Sequence, residues 1–260
     1  MIYLTSDLHL EFFKKQEIDK ITSLLIKKIK NKNEKNYLIL AGDLCVAQND
    51  NLEYFLGNIQ NEFESIFYIL GNHEFYHSSI SDTKLLINKK IELLNSVKNN
   101  IIYLDNSTYF LEELDMLIIG STLWSDLTYN NNDISKAKYM VNDFNYINNF
   151  TTKDYQKNYE ESLQFIKSEV SNNNDKKILI ITHHMPSYEL IDEKYKDSSM
   201  NICFTSNLDE MFRKPIVCWV YGHTHKPNET IINGVKLKCN PLGYMGENKK
   251  FKIIDELKID

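Results

Sequence analysis

The chain has 260 residues, 42% of them hydrophobic and 25% charged, which suits one large buried core and excludes a disordered chain. Its 30 Lys+Arg against 36 Asp+Glu leave a formal net charge of −6, so there is no basic footprint for duplex nucleic acid or an anionic membrane. Arg213 is the only arginine, which nearly removes bidentate guanidinium clamps; any phosphate site must find positive charge elsewhere.

In chain order, residues 2–5 read as a short buried strand that runs into Ser6-Asp7-Leu8-His9. Ile18, Ile21, Leu25 and Ile29 then recur at helical steps. Strands are predicted at 37–41, leading to Gly42-Asp43, and at 66–70, leading to Gly71-Asn72-His73-Glu74. A helical stripe through Ile87, Ile91 and Leu94 follows, then a strand at 116–119. The stretch 124–149 is the least regular and is expected to be a lid or insertion in a single domain spanning 1–260. Thr151 with Asp154 three residues later opens a helix carrying Tyr155, Tyr159, Leu163, Ile166 and Val170. Strands at 178–182 and 216–221 lead to His183-His184 and Gly222-His223-Thr224-His225. Asn233-Gly234 between two apolar runs predicts a tight hairpin, and a last strand is expected at 251–254. Asparagine is abundant, and its runs at 130–132 and 172–174 read as loops.

The four cysteines (Cys45, Cys203, Cys218, Cys239) are scattered, with no C-x-x-C, so free thiols in a reducing compartment are expected. No apolar run nears the ~18 residues of a membrane span. The N-terminus has no basic region followed by an apolar one. A soluble, cytoplasmic protein without a membrane partner is the expectation.

Five predicted strands end in Asp, Asn or His, and six of the seven histidines lie in these motifs. The carboxyl ends of strands in open α/β sheets are where ligands bind. In Asp7-x-His9 and His223-x-His225, residues two apart on extended backbone would share a face. Singly, each motif has a plainer reading. Asp43 could form an Asx turn, Asn72 a helix cap, and His184 a packed ring. Five in order, each at a strand end, do not fit accident.

As a set, Asp7-x-His9, Gly42-Asp43, Gly71-Asn72-His73-Glu74, Thr182-His183-His184 and Gly222-His223-Thr224-His225 resemble the calcineurin-like metallophosphoesterase family. The match holds motif by motif and in order, from residue 7 to 225. Glu74-Phe75-Tyr76, Gly120-Ser121-Thr122-Leu123-Trp124 and Asn240-Pro241-Leu242-Gly243-Tyr244 look like its small bacterial and phage-type members. The resemblance implies an α/β fold: a four-layer αββα sandwich of two mixed β-sheets flanked by helices, with a two-metal site at the strand ends. One ion would take Asp7, His9, Asp43 and His225. The other would take Asp43, Asn72, His183 and His223, with Asp43 bridging. The place directly after Thr182 favours His183 over His184 as the ligand. His73 would protonate the leaving oxygen of a phosphomonoester or phosphodiester attacked by a metal-bridging hydroxide. His184, Trp124 and Tyr244 are implied as substrate-binding residues.

With two divalent ions and only Asp7 and Asp43 as anionic ligands, two positive charges remain, or one after a hydroxide binds. A phosphate ester is then attracted without arginine. The N/O ligand set suits Mn, Fe, Ni or Zn. No phosphate-binding G-x-x-x-x-G-K-[ST] loop or G-x-S-x-G elbow is present. Cys45 reads as a buried small residue, not a nucleophile. A small phosphorylated substrate is the expected partner. The competing readings are a non-catalytic interaction scaffold and a nuclease, both on this fold; the acidic balance counts against the second.

Overall fold

Side-chain alternation along the strands decides the layering. The computed structural model describes residues 1–30, 33–129, 134–249 and 251–259. The first sheet holds β1 (Ile2–Thr5), β2 (Tyr37–Ala41), β3 (Ser65–Ile69) and β4 (Ile101–Tyr103), all parallel, with β11 (Asp255–Leu257) antiparallel beside β1. The second holds β5 (Ser107–Leu111), β6 (Met116–Ser121), β7 (Lys177–Thr182), β8 (Ile216–Val220), β9 (Asn228–Ile232) and β10 (Val235–Cys239), in the order β5-β6-β7-β8-β10-β9. Its inner strands β6, β7, β8 and β10 are parallel, and its edges β5 and β9 antiparallel.

Alternate residues of each strand fall into two buried clusters. Ile39, Phe67, Ile69, Ile118, Leu179 and Val220 meet between the sheets. Their neighbours Leu38, Leu40, Ile66, Tyr68, Ile119 and Trp219 face the helices. A Cβ on Gly120 would lie 2.3 Å from Leu104 Cβ, so the two sheets approach as closely as they do because that residue has no side chain. The helices α1 (Lys15–Lys28), α2 (Asn51–Ile59) and α3 (Ile80–Asn95) pack in succession and bury Ile18, Leu25, Phe55, Leu56, Ile87 and Ile91 on one side. On the other side α6 (Thr152–Asn172) packs on β6 through Tyr155, Tyr159 and Ile166. Two short helices, α4 (Ile134–Ala137) and α5 (Asp143–Tyr146), lie in the irregular stretch. The result is the four-layer αββα sandwich.

The capping box is formed, with Asp154 N–H donating to Thr151 Oγ1 and Thr151 N–H to Asp154 Oδ2. The hairpin turns at Asn233 and Gly234, both at positive φ. The run 130–132 lies outside the described residues, and Asn172 ends α6 instead of beginning a loop.

The last strand needs correction. Residues 251–254 are irregular and the strand is Asp255–Leu257, one segment further on. Asp and Glu are poor strand formers. Here their charges are met by Lys238, Lys252 and Lys30, so the acidic segment pairs with β1. No described helix is long and apolar enough to cross a membrane. All four cysteines are free and buried.

Candidate metal centre

The polar residues after β1, β2, β3, β7 and β8 converge at one end of the two sheets. Beyond β1 and β2 the backbones stay paired, with Asp7 N–H donating to Gly42 O (3.0 Å) and His9 N–H to Asp43 O (3.0 Å). The loop after β8 is tied in by His223 N–H to Asp7 Oδ1 (2.9 Å) and by Gly222 N–H to His183 O (3.0 Å). The expected extended backbone at the two x-His pairs is not what brings them together. Asp7, His9, Asp43, His223 and His225 all have φ between 47° and 65°. These left-handed positions cost of order 1–3 kcal/mol each in a non-glycine residue, and they cluster where a site over-determines them. Glycine keeps the space clear. A Cβ on Gly71 would lie 2.1 Å from Asp43 Oδ1, and one on Gly42 2.6 Å from His183 Nδ1.

Among the described residues, three sets of donor atoms lie each within 4.8 Å: Asp7, His9, Asp43 and His225; Asp43, His183 and His223; and, beside them, His9, Glu11 and His73. Asp43 belongs to the first two. Asn72 joins the second, its Oδ1 lying 3.2 Å from His183 Nε2. His183 points Nε2 at Asp43 Oδ2 (3.3 Å), while its Nδ1 faces Ala41 O at 2.9 Å. In the first set, Nε2 of His9 and Nε2 of His225 face each other at 3.0 Å, an approach that needs a shared proton or cation. His223 Nε2 has no hydrogen-bond partner and is out of contact with solvent. Nitrogen and carboxylate donors gathered at this spacing, with His223 Nε2 left without a partner, fit a pair of divalent ions.

The electrostatics agree. Burial alone would raise the Asp43 carboxyl, but the imidazoles of His183 and His73 hold it well below the usual range. His183 is opposed by burial yet raised to about 10 by Asp43. Burial, aided by His184 and His183, holds His223 well below the ordinary imidazole value, which leaves a free lone pair. The carboxylates thus call for positive charge at the point where the donor atoms converge.

His73 donates its backbone N–H to Asp43 Oδ1 (2.8 Å), and its Nδ1 lies 3.2 Å from Glu11 Oε1. Its Nε2 is 3.3 Å from the Tyr244 hydroxyl and lines the cavity. Burial works against its charge, but Asp43 and Glu11 raise its pKa to about 9. Tyr244 also stacks on His9 at 4.7 Å. Trp124 and His184, by contrast, are 2% and 0% exposed and do not line the cavity. Trp124 packs on Phe75, Phe150 and Tyr155, where its ring area leaves water, and His184 lies behind His223. Burial pushes His184 down to about 3.

Three residues were not found from the motifs. Glu11 faces His73, and burial is outweighed by His73 and His9, which lower its carboxyl to about 2. Its place two residues after His9 was the available signal. Glu247 accepts from His225 Nδ1 (2.8 Å) and from Tyr244 N–H (2.9 Å). Asp143 accepts from Asn72 Nδ2 and from the Tyr76 hydroxyl, both at 2.8 Å, which leaves Asn72 Oδ1 aimed at His183.

The calcineurin-like phosphoesterase family profile matches residues 1–227. An uncharacterised protein of Acanthamoeba polyphaga mimivirus is 33% identical over 281 aligned positions, covering 98% of this chain and 97% of that one. Among solved structures, phosphopantetheinyl hydrolase from Mycobacterium tuberculosis superposes with a TM-score of 0.75 at 16% identity, covering 100% of this chain and 96% of that one. At that identity the second likeness speaks for the fold.

Proposed function

The chain belongs to the calcineurin-like phosphoesterase family and is a metal-dependent phosphoesterase; from that premise we propose a dinuclear phosphohydrolase for small phosphomonoesters or phosphodiesters. The observation that carries this reading is the sharing of Asp43 by two donor sets. Asp7, His9, Asp43 and His225 would hold one ion, and Asp43, Asn72, His183 and His223 the other. Two divalent ions there would supply Lewis-acid stabilisation of phosphoryl oxygens and acidify water, with Mn, Fe, Ni and Zn all suited to the donors. Asp43 carries the negative charge between the two positions. His73 keeps one proton on Nδ1 toward Glu11 and holds another at Nε2, facing the cavity.

In the hydrolysis a P–O bond forms to water and the ester P–O bond breaks. The alcohol leaves with the His73 proton, and a proton from water restores it. Tyr244 keeps His73 Nε2 company and contributes to the cavity wall. Each ligand position is filled, which supports catalysis over a non-catalytic scaffold. The buried free cysteines support a reducing, cytoplasmic location.

The test uses bis- and mono-4-nitrophenyl phosphate. Chelated protein is expected to be inactive, and added Mn to restore turnover. Full activity in protein shown by elemental analysis to be free of metal would overturn the reading.

A further inference from the structure

Above the donor atoms lies a cavity of about 480 Å³. That is far more than a bare phosphate group needs and falls among pockets that take drug-sized ligands. Two stretches of chain give it an apolar lining. Met140 and Val141 come from between α4 and α5; Met185, Ile191, Met200 and Phe204 come from the turns after β7. The latter wall is fixed by Met185 N–H to Phe204 O (3.1 Å) and Ser206 N–H to Met185 O (3.0 Å).

The charge of the lining is one-sided. Among the described residues, no lysine or arginine lines the cavity. Three carboxylates do so beyond Asp43, which two donor sets share: Asp143, Asp192 and Glu247. Lys226, beside it, is paired with Asp192 at 2.7 Å. The imidazoles in the lining (His73, His223 and His225) belong to the floor, where the scissile phosphate would sit. A second anionic group on the substrate would leave water against methionine and isoleucine side chains, near carboxylates, while the nearby cations, Lys226 and Lys194, are held by Asp192 and the Tyr195 ring outside the lining. An uncharged arm meets no such cost, and each methylene buried there is worth about fourfold in binding.

Resting on the phosphohydrolase reading, we infer that the substrates are phosphate esters whose organic arm is uncharged and partly apolar. Nucleotide polyphosphates and esters bearing a second anion are disfavoured. Hydrolysis of such an ester needs water alone as co-reactant.

The experiment compares two alcohols of equal length, one ending in a methyl amide and one in a carboxylate. Each is presented as its phosphomonoester and as its 4-nitrophenyl diester to the Mn-loaded full chain. The amide arm should be favoured in kcat/KM by about tenfold or more. Met200 is 37% exposed at the cavity, so Met200→Lys is tolerated sterically and should cut that ratio by roughly tenfold. The readout is a ratio within one preparation, so losses in folding or metal loading cancel. A wild-type ratio at or below unity, or one that Met200→Lys does not move, overturns the inference alone. Failure to hydrolyse any ester, bis(4-nitrophenyl) phosphate included, removes the phosphohydrolase reading with it.

Discussion

Glu74 sets one buried carboxylate against four donors: the N–H groups of Asp43, Leu44 and Gly71, and the Tyr68 hydroxyl, at 2.8–3.0 Å. It therefore fixes the loops after β2 and β3 from behind the candidate metal centre. Glu74→Gln keeps the shape but turns an NH₂ toward donors, leaving them unpaired at about 1–3 kcal/mol each. Urea unfolding should show a loss of about 2–4 kcal/mol; an unchanged midpoint would remove the role. Asp143 acts through Asn72 in the same way. Asp143→Ala frees the Asn72 amide to turn, and elemental analysis should find less than two ions per chain, whereas Asp143→Asn keeps an acceptor and most of the metal. Two ions in the alanine variant would show that Asn72 needs no such hold. His73→Gln tests proton donation, typically worth about 10²–10⁴-fold. It should keep both metals and lose most of its rate on an alkyl ester, where the alkoxide needs a proton, and clearly less on a 4-nitrophenyl ester. Equal losses would leave His73 only orienting the phosphate. His73 and Asn72 could be found in the sequence because they follow a glycine at a strand end. Asp143 could not, since it reaches Asn72 from 71 residues away in an irregular stretch.

Strands buried on both faces announce themselves as apolar runs, which is why β1, β2, β7 and β8 could be placed to within a residue. Of the edges, β9 was marked by its tight turn, but β4, β5 and β11 were not legible. β5 alternates half-buried and exposed residues, and β11 is Asp-Glu-Leu, whose pairing depends on lysines distant in sequence. The Asp7-x-His9 spacing marked residues that the structure brings together with Asp43 and His225, but their geometry comes from left-handed turns that no periodicity reveals. Lys238 on β10 explains why the acidic edge holds. Its buried Nζ meets Glu229 Oε2 on β9 and Asp255 Oδ2 on β11, both at 2.9 Å, and Glu256 O at 2.8 Å, so it joins the two sheets. Burial would lower Lys238, but Asp255 and Glu229 raise it above 10.5. Burial opposes the Lys238 bond that lowers Asp255 below 3.8, and the same lysine lowers Glu229 below 4.5. Depressed carboxylates stabilise the fold above their ordinary values and lose that contribution as pH falls through the lowered ones. The raised lysine contributes below 10.5 and loses it as pH rises through its higher value. Lys238→Met should therefore cost about 1–3 kcal/mol near neutral pH, discounted for the half-exposed Glu229. The gap from wild type should close below about pH 4. A pH-independent gap would mean the lysine acts through packing alone.

At the scale of the whole molecule, the centre joins both sheets: Asp7, Asp43 and Asn72 follow strands of the first, and His183, His223 and His225 follow strands of the second. Ions held there would cross-link the two halves of the sandwich in the native state only. In the unfolded chain these ligands are separated by as many as 218 positions, from Asp7 to His225. Such binding stabilises the fold by mass action, about 2.7 kcal/mol per site at a free ion concentration of 100 Kd. For a chain of this size, 1 kcal/mol moves Tm by roughly 2–4 °C, so each filled site should add about 5–10 °C. The chelated protein should consequently melt lower than the Mn-loaded protein, with a gap that grows with free Mn. Asp43→Asn removes the carboxylate common to both sets and should erase most of the gap, together with about 10³-fold or more in kcat. Asp7→Asn, which touches the first set alone, should erase about half of it. If Mn shifts Tm equally in wild type and Asp43→Asn, the stabilising ions bind elsewhere and the shared position of Asp43 has no thermodynamic weight.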